Sequence, residues 1–256
     1  MRRHSFQYYL DLLAVLIHKD FKLKYKRTVL GYFWSVLNPL LFALVCYVAF
    51  KTIIRIQVDN YLLFLLTALF PWYWFSNCLN GAPSVFLGNT SLIKKLNFPR
   101  SLLLVSQVFL EMIHFVLSIP IILVFVFVYD RTPHLSWFIG IPLLLVIQFS
   151  ATFGLALLVA TVNLFFRDLE KIINIAVTLL FYFTPIIYAE TMVPPQYDGI
   201  VYLNPFAALM LSWRYLLMDG VLDPGKLVIS AAFALVITVL GVFVYKRLSW
   251  KFAEIT

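Results

Sequence analysis

Charge is scarce in this chain. Asp, Glu, Lys and Arg together make up 12% of its 256 residues, about half the roughly 25% of an ordinary soluble protein. Cysteine is scarcer still: Cys46 and Cys78 both sit inside apolar stretches, which excludes a disulfide framework or a cysteine metal site and leaves two small core side chains. There is no HExxH, no G-x-S-x-G and no cysteine pair at metal-ligand spacing, so the familiar signatures of hydrolase and metal chemistry are missing. No cleavable signal is expected, because the first long apolar run begins near Phe33 and no short apolar core with a small-residue cleavage site precedes it. Internal repeats, low-complexity tracts and a linker freeing a second domain are likewise missing.

What is abundant is apolar surface. Hydrophobic residues make up 62% of the chain and the mean hydropathy is +0.92. A soluble domain of this size could not hide so much of it, since polar groups must cover much of its exterior. Disorder, a coiled coil and a collagen-like fibre fall by the same numbers. The sequence is that of an integral membrane protein.

A crossing helix needs about 20 mostly apolar residues. The runs that qualify are Phe33–Phe50, Tyr61–Leu79, Leu102–Val128, Trp137–Phe166, Ile172–Tyr188 and Leu227–Tyr245. A further apolar stretch, Ile200–Leu217, holds Asn204-Pro205 and Arg214. With six crossings and an inner N-terminus, 15 of the 20 Lys and Arg fall on the inner side, as the positive-inside rule requires. A seventh crossing would move Lys246, Arg247 and Lys251 outside. The expected fold is therefore an all-α polytopic membrane protein with six transmembrane helices. Residues 190–225 form an outer hairpin that dips into the membrane without crossing it, tolerable only against protein or a water-filled cavity. Residues 1–32 form a cytoplasmic amphipathic interface helix, and 33–256 the transmembrane domain.

In that first segment Phe6, Leu10, Leu13, Ile17 and Phe21 share one helical face. Lys19, Lys22, Lys24, Lys26 and Arg27 lie off it, toward anionic headgroups. A topology anchor and a more specific role are both open. On the fourth span, Ser150 with Gly154 and Ala156 with Ala160 are small pairs four apart, which permit close helix approach within the subunit or, less simply, at a dimer seam.

Polar residues inside spans are functional candidates. Gln107, Glu111, His114 and Ser118 share a stripe on the third span, with Glu111 on the order of 15 Å deep at 1.5 Å per residue. The single Glu-x-x-His cannot make a di-iron bundle, which needs two copies. The stripe is a helix seam or a hydrated lining; a Glu and His able to satisfy each other favour the seam. Aromatic residues are 18% of the chain. Trp72, Tyr73, Trp74 and Trp137 suit the interfacial belt. Deeper rings such as Phe42, Tyr47, Phe181, Tyr182 and Phe183 pack against lipid and helices or stack on sugar faces. Gly220-Val221-Leu222-Asp223-Pro224-Gly225-Lys226 has P-loop spacing, but Leu227 stands where Ser or Thr would hold magnesium and no strand precedes it. No ATPase is expected in this chain, and no nucleic-acid partner.

Together these stretches resemble a family. Tyr25-Lys26-Arg27-Thr28-Val29-Leu30-Gly31-Tyr32-Phe33-Trp34, running into Asn38-Pro39-Leu40, looks like the start of the first span in membrane subunits of bacterial polysaccharide-exporting ABC transporters, the Wzm-like O-antigen exporters with their teichoic-acid and capsule relatives. Leu92-Ile93-Lys94-Lys95-Leu96-Asn97-Phe98-Pro99-Arg100 is similar to the family's first cytoplasmic loop, and Phe166-Arg167-Asp168-Leu169 to its second. Thr184-Pro185-Ile186-Ile187-Tyr188, Val193-Pro194, Leu203-Asn204-Pro205 and Arg214 follow in the family's order. Five weak motifs in order over nearly the whole chain make a specific match.

The resemblance implies a second copy of this chain, two separate ATPase subunits that bind the ATP and magnesium, no cofactor in this chain, and a cargo of polysaccharide on a polyprenyl diphosphate lipid, moved across the bacterial inner membrane with both termini cytoplasmic. It implies roles as well. Lys94, Lys95, Arg100, Arg167, Asp168, Glu170 and Lys171 would couple to the ATPase, or act as topology determinants alone. Lys22, Lys24, Lys26 and Arg27 would meet the lipid diphosphate, since cations there ease the passage of phosphate. Trp34, Asn38, Phe42, Tyr47, Phe181, Tyr182, Phe183 and Tyr188 are channel-lining candidates. Pro194, Asn204, Pro205 and Arg214 belong to the outer gate. The rival readings are an ABC exporter of drugs or small lipids, a stand-alone membrane enzyme on polyprenyl-linked sugars, and a scaffold.

Overall fold

The computed structural model describes residues 6–26, 28, 31, 33–95, 98–197, 199 and 204–252. Among them every regular element is helical. Helix α1 is Phe6–Lys24, and α2, Phe33–Cys46, continues as a π-helical segment Tyr47–Ile53. Then come α3 (Tyr61–Gly88), α4 (Thr90–Lys95), α5 (Leu102–Val128), α6 (Trp137–Asn163), α7 (Leu169–Phe183), α8 (Pro205–Asp219) and α9 (Pro224–Leu248), with short 3-10 turns at Glu190–Met192, Pro195–Tyr197 and Ser249–Lys251. Among the described residues five helical stretches are long and apolar enough to cross a membrane: Phe33–Ile53, α3, α5, α6 and α9. This is a multi-pass membrane protein. Of the six expected crossings, Ile172–Tyr188 is the one whose helix, α7, falls short of that length: it has 15 residues and ends at Phe183. Pro185 explains the stop, because a residue before proline is driven out of the helical region, and Thr184 is extended.

Helix α3 is the hub. It contacts α2, α5, α6, α7 and α8, and Leu63, Leu65, Leu66, Ala68 and Leu69 are fully buried. It also runs to Gly88 rather than stopping near Leu79. It carries Pro71 and Pro83 in its interior, as membrane helices tolerate, and Asn163 Nδ2 on α6 ties it to its neighbour by donating to the Pro83 carbonyl at 3.0 Å. Helix α8 is buried on nearly every side, with Trp213 at 0% exposure.

The most extensive pairing is α6 with α9. Ser150 and Gly154 are spent inside the subunit: Thr238 Oγ1 donates to the Ser150 carbonyl at 2.8 Å. A Cβ on Gly154 would lie 2.6 Å from the Thr238 backbone, and one on Gly241 only 2.2 Å from the Gly154 carbonyl oxygen. Gly241→Leu should therefore force the helices apart. Overpacking costs typically 1–3 kcal/mol, and a backbone obstacle puts this site at about 3 kcal/mol. The melting temperature of the purified chain reads it; wild-type melting would contradict the close approach.

Contacts sort the loops to two ends. Arg100 Nη1 donates to the Ser249 carbonyl at 3.0 Å, and Lys19 Nζ to Asn89 Oδ1 at 2.8 Å, so α1, the loop before α5 and the end of α9 share one end. At the other, Arg131 pairs with Asp219 at 3.2 Å, Ser136 Oγ donates to the Gly220 carbonyl at 2.7 Å, and Tyr61 Oη donates to the Ile187 carbonyl at 2.7 Å.

Candidate functional site

Helix α3 is buried except along one stripe. Asn77, Asn80 and Ser84 are exposed and Tyr73 is partly so, and steps of 4, 3 and 4 place the four on one helical face. This stripe looks into a groove bounded by α2, α7 and the end of α1. Its first part is a cavity of 350 Å³ lined by Lys24, Tyr25, Trp34, Ser35, Asn38, Pro39, Tyr73, Asn77, Asn80 and Glu111. The next is a cavity of 260 Å³ lined by Phe42, Trp72, Tyr73, Ser76, Asn80, Val177, Thr178, Phe181 and Tyr182. Tyr73 and Asn80 belong to both. A track therefore runs from a cation and amides to a cluster of rings, with Phe42 and Phe181 centroids 5.7 Å apart.

The lower mouth of the track is fixed by a polar network. Lys24 Nζ donates to Glu111 Oε1, Asn77 Nδ2 donates to Glu111 Oε2 at 3.2 Å, and His114 Nδ1 lies 3.4 Å from the same oxygen. The Tyr25 hydroxyl is 3.0 Å from His114 Nε2. Burial pushes the Tyr25 phenol up from its ordinary value, and the His114 ring lies between that hydroxyl and Glu111. Next to this network Ser106 Oγ donates to Asp20 Oδ2 at 2.9 Å. The α5 stripe thus meets α1 and α3: Gln107 Nε2 reaches the Cys78 carbonyl at 3.4 Å, while Ser118 bonds its own helix at the Phe115 carbonyl. Helix α1 turns Leu12 and Leu16 toward the bundle and leaves Phe6 77% and Leu10 45% exposed. Lys22 and Lys26 line a shallow surface cavity with His18, Phe21 and Tyr25. Arg27 lies outside the described residues.

Of the ring and amide candidates, Trp34 and Asn38 line the lower cavity and Phe42, Phe181 and Tyr182 the upper. Tyr47 instead lies against Tyr61, with centroids 6.3 Å apart. Phe183 is exposed, and Tyr188 Oη donates to the Tyr182 carbonyl at 3.1 Å. Asn77, Asn80 and Ser84 escaped the sequence reading, although the spacing rule that picks out the α5 stripe picks them out too.

The outer motifs converge. After α7 the chain leaves the helix, and the carbonyls of Pro185 and Ile186 take their donors from elsewhere. Arg214 donates to Pro185 O at 2.6 Å, Ile186 O at 2.8 Å and Phe64 O at 3.3 Å, and its guanidinium lies 3.6 Å from the Phe64 ring centroid. Asn204 caps α8, accepting from Phe206 N at 3.0 Å and donating to Thr184 Oγ1 at 2.9 Å, with Pro205 at the first helical position. Pro194 is the link between the two 3-10 turns beyond Tyr188. The P-loop-like segment is a helix start: Asp223 caps α9, accepting from Gly225 N at 2.8 Å and Lys226 N at 3.2 Å. The Lys226 backbone N–H holds the Asp223 carboxyl below its ordinary value, so a carboxylate already fills the place where a phosphate would bind.

The loop charges differ in how free they are. Lys94, Lys95, Arg167, Asp168, Glu170 and Lys171 are all exposed. Arg100 is engaged by its own chain, bonded to Ser249 and 5.6 Å from the Phe252 ring centroid.

Residues 11–218 match the family model described as ABC-2 type transporter. The chain belongs to the ABC-2 type transporter family. Relatives of the chain are named for O-antigen export and for polysialic acid transport. It is 45% identical over 253 residues to an O-antigen export system permease protein RfbA of Klebsiella pneumoniae, covering 99% of this chain and 98% of the relative. A Myxococcus xanthus protein of the same name is 31% identical over 250 residues, 96% of this chain and 95% of that protein. The polysialic acid transport protein KpsM of Escherichia coli is 21% identical over 252 residues, 96% of each. As an ABC-2 type chain it is a transporter subunit, not an enzyme.

Proposed function

We propose that this chain is the membrane subunit of an exporter that moves a polyprenyl-diphosphate-linked polysaccharide of the O-antigen kind across the bacterial inner membrane. Two copies form the channel, and two separate ATPase subunits bind ATP and magnesium and supply the energy. The single observation that carries this reading is the exposed polar and aromatic groove along α3. An amide stripe at membrane depth is costly against lipid and belongs against a water-filled path or protein. A second copy facing the groove would enclose it, and rings beside amides suit sugars, which offer apolar faces and hydroxyl edges. The Klebsiella relatives are named for O-antigen export.

Six crossings follow if α7 counts as one. Its 15 helical residues span about 22 Å at 1.5 Å each. The turns and bends of residues 184–188, which follow the helix, take up the remainder of a hydrocarbon core of about 30 Å. Both termini are then cytoplasmic, on the side richer in Lys and Arg. Helix α8 is the re-entrant element. Phe206 packs on Phe75 at 4.2 Å, about 21 Å along α3 from Tyr61 at 1.5 Å per residue, while Asp219 meets Arg131 at the outer end. In this reading α8 with Pro194, Asn204, Pro205 and Arg214 forms the outer gate. Residues 1–32 are the interface segment, whose cations meet the lipid diphosphate, and 33–256 are the transmembrane domain.

The exposed charges of the inner loops are where motion from the ATPase would enter. Replacing Arg167 and Asp168 together with Ala is expected to uncouple ATP hydrolysis from export while leaving assembly nearly intact; unchanged transport would remove the coupling role. Native mass spectrometry of the gently purified chain tests the larger proposal. Two copies with two P-loop ATPases are expected, and a complex with a glycan-modifying enzyme would overturn it. Export of a labelled lipid-linked glycan by the reconstituted complex separates this cargo from a drug or small lipid.

A further inference from the structure

Asn38 on α2 and Asn80 on α3 both line the 350 Å³ cavity, and neither side chain makes a hydrogen bond among the described residues. Each carboxamide offers two donors and an acceptor, and an unpaired amide at membrane depth is costly. Asn77 lines the same cavity, with one donor spent on Glu111. Trp34 forms another wall and is 39% exposed. The volume lies at the small end of ligand pockets, which run from about 300 to 1,000 Å³, so it suits a ring-sized ligand rather than a polymer.

We propose that this cavity is a subsite for a single uncharged sugar ring, the one bonded directly to the lipid diphosphate, held by Asn38, Asn77 and Asn80 with Trp34 against its face. The assignment rests on the lipid-diphosphate reading above and deepens it. Lys24 sits at the mouth, and an ammonium carries three donors, of which Glu111 takes one. Among the described residues the others are free for a phosphate oxygen, and the first sugar on that phosphate then falls among the asparagines. Glu111 also lines the wall, which disfavours a sugar bearing a carboxylate. The chain would therefore select cargo at its lipid-linked end, whatever sugars the polymer carries further out.

Binding to the full chain in nanodiscs tests this with three synthetic probes: farnesyl diphosphate, farnesyl diphosphate carrying glucose, and farnesyl diphosphate carrying glucuronate. Wild type is expected to bind the glucose probe on the order of tenfold tighter than bare farnesyl diphosphate, from a few neutral hydrogen bonds and one stacked ring. The glucuronate probe should gain nothing. N38L/N80L, nearly isosteric, should bind the glucose and bare probes alike. Asn80→Ala, which removes an amide without adding bulk, repeats the test should the double variant misfold, and should lose part of the preference. An undiminished glucose preference in these variants overturns the subsite, as does a wild type that binds the bare and glucose probes equally. Glucuronate binding as tight as glucose overturns the uncharged assignment. If no probe binds wild type, the lipid-diphosphate reading itself falls and takes the subsite with it.

Discussion

Replacing Arg214 with methionine is expected to abolish accumulation of the folded chain, and replacing it with lysine to recover only part of the loss. Arg214 is 3% exposed, and no carboxylate forms an ion pair with it among the described residues. Its charge is dispersed instead over three backbone carbonyls, Phe64, Pro185 and Ile186, and over the Phe64 ring. Those of Pro185 and Ile186 belong to a stretch that has left α7 and has no helical partner. Buried acceptors stripped of a donor cost about 1–3 kcal/mol each, so methionine should cost about 4 kcal/mol in total, a value reached only when a buried network breaks. Lysine keeps the charge but concentrates it at one point and cannot fork across residues 185 and 186 while lying flat on Phe64. Yield and melting temperature of the purified variants measure this. A methionine variant that melts like wild type would show that Arg214 does not hold the break after α7.

Much of the architecture could be read from residues alone, because period and apolar length are local properties. The apolar runs at 102–128 and 137–166 became α5 and α6 within three residues. The errors arose where a local rule met a distant partner. Asn80-Gly81 and Pro83 look like the end of a helix, yet α3 runs on through them to Gly88, held against α5 and α6. Ending the run at Leu79 also hid the stripe, since Asn80 and Ser84 join Tyr73 and Asn77 only on one unbroken helix. For α1, period alone finds the apolar face of Phe6 and Leu10 but cannot say that another face, through Leu16, Asp20 and Lys24, grips α5. Tyr47 and Phe181 look alike in the sequence, and only packing puts one ring on Tyr61 and the other in the groove.

The grip of α1 on α5 has an unequal energetic structure, and it yields the other large prediction. Glu111 has a side chain 8% exposed, against 37% for Lys24. Removing Lys24 strands a buried carboxylate, whereas removing Glu111 releases an ammonium that can swing toward water and headgroups. Breaking one side of a buried pair costs roughly 3–5 kcal/mol. Asn77 and His114 remain beside Glu111, so Lys24→Met should cost about 3 kcal/mol, the low end of that range. Glu111→Gln should cost clearly less, because its amide still meets His114 and Asn77 and no charge is stranded. The double variant should then melt higher than Lys24→Met alone, the sign that the damage lies in an uncompensated charge and not in lost packing. Melting temperatures of the three variants close the cycle. If Glu111→Gln proves worse than Lys24→Met, the carboxylate serves chiefly to anchor α5 to α3 through Asn77, and the hold on α1 must come from Tyr25 on His114 and Asp20 on Ser106.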